Sequence, residues 1–214
     1  MTNSEQEVNE NVFWSDIPKS WYNKFSHSHT IGFDVETSGL EQNRDKVYSI
    51  SLMDEDEDIV IVRFTDHGEL GYPDLIARLL QNESIVKVAH YALFDLKMLR
   101  TSFGMVNFSN IYCTCIASRL VRTYAPSHSY KDMVKELFKV DLKKDTASTP
   151  WFLDQLTDEQ IRYQENDVRY LLKSRDLLNQ YAEKLERSKL VLDTMKTLPT
   201  IAELYARGWS NTLF

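Results

Sequence analysis

The sequence predicts an α/β fold in which a sheet is laid down early and helices follow. Three observations predict it: β-rich apolar runs at residues 31–37, 47–53 and 59–64, a strand leading directly into a helix across residues 85–102, and helical periodicity from Cys113 onward. With 214 residues, 43% hydrophobic and 12% aromatic, the chain is long enough for one sizeable core and is not intrinsically disordered. No internal repeat or low-complexity linker divides it. Residues 12–214 therefore read as one domain behind a polar, flexible arm, residues 1–11.

The packed structure begins near Val12, Phe13 and Trp14. The run Ile31-Gly32-Phe33-Asp34-Val35-Glu36-Thr37-Ser38-Gly39-Leu40 reads as a strand closed by a Ser-Gly turn, and the runs at 47–53 and 59–64 as two further strands. Between those two, Asp54-Glu55-Asp56-Glu57-Asp58 is expected to be a solvated hairpin turn rather than a metal cluster, because consecutive side chains point in different directions. Tyr72-Pro73 opens a helix through Leu80, with proline tolerated in its first turn. Residues 85–89 form a strand ending at His90, and a helix from about Phe94 to Ser102 stops near Gly104. Helices follow at 115–121 and 130–138, then a long one announced by the capping box Thr157-Asp158-Glu159-Gln160. Residues 185–214 are apolar enough either to pack on the domain or to form a dimer contact, and the oligomeric state is left open.

Lys and Arg number 25 against 32 Asp and Glu, a net charge of −7, so the broad basic surface of a duplex-binding protein is absent. Any nucleic acid must be held locally. No apolar run approaches bilayer-spanning length and the N-terminus is polar and acidic, so no membrane association and a cytoplasmic location are expected. Cys113 and Cys115 are too close for an unstrained disulfide and make at best half a zinc site, so buried thiols are expected.

Three acidic signals stand out. Period-two geometry projects Asp34 and Glu36 from one face of the first strand, opposite Phe33 and Val35. Like charges near a core need cationic compensation, and no Lys or Arg lies in the run; a divalent metal supplies it, while a strand with one face in water needs none. His90 and Asp95 fall at the carboxyl end of a later strand, where open α/β sheets place ligands, although an Asp there also suits a helix N-terminus. Tyr163 and Asp167 share one helix face beside the apolar stripe of Ile161, Val168, Leu171 and Leu172; an Asp–Arg pair with Arg162 or Arg169 is the alternative.

In order and spacing, Asp34 with Glu36, Asp95, and Tyr163 four residues before Asp167 resemble the DEDDy-type 3′-5′ exonucleases, which include ribonuclease D and the proofreading domain of DNA polymerase I. The resemblance runs from about Phe13 to Phe214, and the runs at 115–122 and 198–209 are similar to those of short, single-domain bacterial ribonuclease D proteins. It implies a ribonuclease H-like mixed central sheet flanked by helices, with a helical C-terminal half. It further implies catalysis by Asp34, Glu36, Asp95, Tyr163 and Asp167, the four carboxylates holding two ions. Asp34 would bridge the ions, Glu36 and Asp167 would complete one, Asp95 would serve the other, and Tyr163 would orient the attacking water. Oxygen ligands without a His/Cys cluster favour Mg²⁺ or Mn²⁺.

Thr37, Gly39 and Leu40 follow the first motif as the family's substrate-contacting residues do, and His90 and Phe94 would line the same pocket. Tyr130 with Lys131, and Lys143 with Lys144 and Trp151, offer aromatic and cationic contacts to an incoming strand. Tyr91 stands where many relatives carry Asn after the histidine, so that amide's hydrogen bond to substrate is not expected. The chain also ends at Phe214 without the C-terminal helical domains of longer relatives, so a substrate grip that is weaker or supplied elsewhere is expected. The implied activity is release of nucleoside 5′-monophosphates from the 3′ end of single-stranded nucleic acid, RNA ahead of DNA. The alternatives are the same chemistry on DNA, or a non-catalytic nucleic-acid-binding module.

Overall fold

The computed structural model describes residues 11–41, 44–64, 71–142 and 156–209. Six strands form one mixed sheet in the order β1-β4-β3-β2-β5-β6: β1 (Val12–Trp14), β2 (Thr30–Thr37), β3 (Val47–Met53), β4 (Ile59–Arg63), β5 (Val86–Ala89) and β6 (Ile111–Cys113). β3 runs antiparallel to β2 and β4, whereas β2, β5 and β6 are parallel neighbours and β1 is parallel to β4. Every residue of β4 is buried, as expected of an inner strand covered on both faces. The helices are α1 (Lys19–Ser26), α2 (Asp74–Gln81), α3 (Ala92–Phe103), α4 (Thr114–Val121), α5 (Tyr130–Phe138), α6 (Asp158–Arg169), α7 (Leu171–Lys184) and α8 (Ser188–Ala206). Among the described residues, no helix is long and apolar enough to cross a membrane.

Alternation along β2 works as its sequence dictates. Phe33 and Val35 are buried in the core, while Asp34 and Glu36 on the opposite face are only partly covered. Gly32 shares the acidic face, and a β-carbon there would lie 3.1 Å from Leu172 Cδ1 and 3.3 Å from Leu171 Cδ1. The start of α7 thus packs directly on β2, one turn beyond Asp167. The capping box of α6 is formed: the Thr157 hydroxyl accepts from the Gln160 N–H at 3.2 Å, and the Gln160 side chain accepts from the Thr157 N–H at 2.9 Å. α8 folds back on the domain, where the Cys113 N–H meets Met195 Sδ at 3.2 Å and Arg100 pairs with Glu203 at 3.5 Å.

Several elements differ from expectation. α1 and β6 are additional: α1 starts after Pro18 without a side-chain cap, and three residues are too few for β6 to show a period. α2 begins at Asp74, so Pro73 is its N-cap rather than part of its first turn. α3 begins at Ala92 because Tyr91, at φ 61°, takes the left-handed conformation and closes the strand-to-helix turn early. The long C-terminal helix is two helices, parted at Tyr170. In the β3–β4 hairpin Asp54 is buried rather than solvated; it accepts the N–H groups of Asp56 and Asp58 at 3.0 Å each, and Lys24 pairs with Asp54, Asp56 and Asp58. A lysine ammonium therefore compensates that acidic cluster. Cys113 and Cys115 are buried free thiols. Residues 1–10, Lys143, Lys144 and Trp151 lie outside the described residues.

Candidate active site

At the carboxyl end of β2 a cleft of about 250 Å³ is lined by Asp34, Val35, Glu36, His90, Tyr91, Phe94, Asp95, Tyr130, Tyr163 and Asp167. Three carboxylates from two distant segments meet there: Asp34, Glu36 and Asp167 each offer an oxygen within 4.8 Å of the others. β2 presents the first two through its alternation, and α6 carries Asp167 one turn after Tyr163, to which its carboxylate is hydrogen-bonded. Asp95 stands outside that trio. It sits in the first turn of α3, is buried, and accepts the Val35 N–H at 3.2 Å, so it is anchored to the strand between Asp34 and Glu36.

The electrostatics are those of acids crowded away from water. Burial, then the neighbouring Asp95, Asp167 and Glu36, push Asp34 well above the usual carboxylate range. Burial with the charges of Asp167 and Asp95 raises Glu36 to about 8. Burial alone carries Asp95 to about 8, against the hydrogen bond from Val35, and Asp167 to about 7, against that from Tyr163. No described lysine or arginine counters these shifts. Arg169, a candidate partner for Asp167, pairs with Glu165 instead, at 3.3 Å. An all-oxygen donor set of partly buried acids, uncompensated among the described residues, fits a hard divalent cation. Burial and the adjacent Asp167, Glu36 and Asp34 hold the Tyr163 phenol protonated well beyond its ordinary range, so it can donate a hydrogen bond but is no base at neutral pH.

The expected substrate residues divide into two sets. His90 and Phe94 line the cleft. The His90 ring is already engaged: Nδ1 lies 2.9 Å from Thr114 Oγ1, a second hydrogen bond joins it to the His128 backbone, and burial pushes its pKa down to about 4. A neutral imidazole so held positions the β5–α3 turn. Thr37, Gly39 and Leu40 are not among the residues that line this cleft. The Thr37 hydroxyl donates to the Gly39 carbonyl at 2.7 Å, a β-carbon on Gly39 would strike the Asp45 carboxylate, and Leu40 is 80% exposed. The close approach that glycine permits is thus to Asp45. Tyr91 and the half-buried Tyr130 complete the wall. The sequence reading offers Tyr130 as an aromatic contact for an incoming strand, whereas no spacing or propensity marks Tyr91 as part of a site.

A model of the 3′-5′ exonuclease family matches residues 9–183. The chain belongs to the 3′-5′ exonuclease family. Among solved structures of similar proteins, Brucella melitensis NrnC is 29% identical, with a TM-score of 0.87 over 94% of this chain and 95% of that one. The same protein has been solved with bound Mg²⁺ and bound to pGG. Ribonuclease D of Pseudomonas paraeruginosa is 33% identical over 95 residues, 44% of this exonuclease and 25% of that protein. Ribonuclease D of Desulfotalea psychrophila is 26% identical over 162 residues, 75% of this chain and 41% of the relative. The chain therefore spans less than half the length of those two curated relatives.

Proposed function

We propose that residues 12–214 form a divalent-metal-dependent exonuclease that removes nucleoside 5′-monophosphates from the 3′ end of single-stranded RNA. The observation that carries this reading is the meeting of Asp34, Glu36 and Asp167 within 4.8 Å, beside Tyr163 and with no basic partner among the described residues. Asp34, Glu36, Asp95 and Asp167 would hold two Mg²⁺ or Mn²⁺ ions, which when bound supply electrostatic stabilisation of the attacking and leaving oxygens of an in-line displacement at phosphorus. The Tyr163 phenol, kept protonated, orients the water for attack. Phe94 and Tyr91 offer ring surface to a terminal base, and the engaged His90 keeps that wall in place.

Support for a nucleic-acid ligand comes from NrnC bound to pGG, and for the ion from NrnC with Mg²⁺. The pGG complex also favours a second reading, in which the preferred substrate is only about two nucleotides long. A second hollow of about 550 Å³ adjoins the cleft, shares His90 and Tyr91 with it, and gives room for a second nucleotide. One experiment tests both. Single-stranded RNA and DNA oligonucleotides of two to twenty nucleotides, 5′-labelled, are incubated with the protein and Mn²⁺ or EDTA, and products are followed over time. Stepwise shortening of RNA with Mn²⁺ only is expected. Equal rates on DNA would remove the RNA preference, turnover confined to the shortest substrates would establish the second reading, and no shortening at all would end the nuclease reading.

A further inference from the structure

The break between α6 and α7 has no cause in its own sequence. The stretch Asn166-Asp167-Val168-Arg169-Tyr170-Leu171 contains neither glycine nor proline, the usual sources of a sharp helix interruption. A third source is a side chain driven into the hydrogen-bond ladder, and that is present. In an unbroken helix the Tyr170 N–H would donate to the Asn166 carbonyl, four residues back. Instead the Tyr130 hydroxyl occupies both ends of that missing bond. It donates to the Asn166 carbonyl at 3.2 Å and accepts from the Tyr170 N–H at 3.1 Å, an N–H that also reaches the Val168 carbonyl. A phenolic hydroxyl, one donor with acceptor lone pairs, is suited to this double role.

α5 holds the break at two points. Tyr130 opens the helix and packs its ring against His90, with centroids 5.4 Å apart; Phe138, two turns further along, stacks on Tyr170 at 5.5 Å and 29°. Asp167 directly follows Asn166, whose carbonyl the hydroxyl captures, and Tyr163 lies one turn before it. Tyr130 itself lines the cleft. We propose that Tyr130 is a positioning residue, whose hydroxyl parts α6 from α7 and thereby aims Asp167 and Tyr163 at Asp34 and Glu36. Without it the two segments run on as one helix, which is what their periodicity alone predicts, and Asp167 leaves the trio.

The inference rests on the carboxylates holding divalent ions, so its test reads ion binding as well as turnover. Metal-stripped parent and Tyr130→Phe proteins are titrated with Mn²⁺, followed by calorimetry or electron paramagnetic resonance, and kcat and KM are measured on a single-stranded oligonucleotide. The phenylalanine keeps the ring and loses only the hydroxyl. Mn²⁺ affinity and kcat are each expected to fall on the order of tenfold or more, as loss of a supporting partner does, with KM held within about twofold and near-UV circular dichroism unchanged. Placing p-aminophenylalanine at position 130, which restores a donor to the Asn166 carbonyl, recovers part of both. Parent-like affinity and kcat in Tyr130→Phe overturn the proposal. So does a rise in KM alone, which would make Tyr130 a substrate contact, or loss of tertiary structure, which would make it a core fixture. A parent protein that neither binds Mn²⁺ nor cleaves sinks the nuclease reading itself, an outcome distinct from a competent parent with an equally competent variant.

Discussion

The side-chain carbonyl of Gln164 accepts the Ser49 hydroxyl at 2.8 Å, and this bond fastens α6 to β3 behind the acidic cleft. Ser51 donates to the same oxygen at 3.3 Å. In the sheet register Ser49 lies opposite Glu36 and Ser51 opposite Asp34, so the helix bearing Asp167 is tied to the strand neighbouring both acids.

Replacing Gln164 with leucine strands two buried hydroxyls, at a cost of about 1–3 kcal/mol. The Gln164 amide nitrogen is itself buried without a hydrogen-bond partner among the described residues, so its removal offsets part of that cost. The net expectation is the lower end of the range, a melting temperature down by roughly 2–4 °C, accompanied by slower hydrolysis. An unchanged rate would show that the fastening does not reach the site.

The pH dependence follows from the raised acids. Glu36 and Asp95 at about 8 and Asp167 at about 7 retain protons that the unfolded chain has released by about pH 5. Their contribution to stability is thus complete below about pH 4 and is lost as pH climbs toward 8. In EDTA the melting temperature should fall from pH 5 to pH 8. Mn²⁺ binds the ionised forms, so the stabilisation it adds should grow over the same interval. A metal-free protein that gains stability across this window would contradict the assignment.

Asp34→Asn removes a charge that burial and three acids disfavour. Hydrolysis is expected to drop by on the order of 10²–10³, while the metal-free variant at pH 8 melts higher than the parent. Thermal melts beside the oligonucleotide assay test both. Retained cleavage would take Asp34 out of the mechanism.

Tyr163→Phe keeps the ring and loses the donor to Asp167. Since the phenol stays protonated well beyond neutral pH, its role is orientation, and a rate loss of roughly 10–100-fold with no change in the pH profile is expected. Disappearance of an alkaline limb in the profile would instead make Tyr163 a titrating base.

Gly32→Val places methyl groups where Leu171 and Leu172 already approach an ideal β-carbon to 3.3 and 3.1 Å. Overpacking of this kind costs about 1–3 kcal/mol. Because α7 presses on the acid-bearing face of β2, activity should fall along with the melting temperature. A fully active, equally stable variant would show that α7 can retreat without moving Asp167.

Much of this arrangement is legible in the sequence for physical reasons. Alternation places Asp34 and Glu36 together whatever the rest of the chain does, and the capping box at Thr157 sets the phase of α6 from local bonds alone. What sequence periodicity does not report is contact between distant segments. The left-handed Tyr91, the lysine filling the Asp54 cluster, the Asp45 carboxylate against Gly39 and the Tyr130 hydroxyl inside the helix ladder all arise from tertiary packing. The expectation for Thr37, Gly39 and Leu40 rests on resemblance, and the residues that line the cleft do not include them.

β2 and α3 supply Asp34, Glu36 and Asp95, whereas Tyr163 and Asp167 belong to α6. The acidic cleft is therefore complete only when α6, late in the sequence, has docked against a sheet laid down before it.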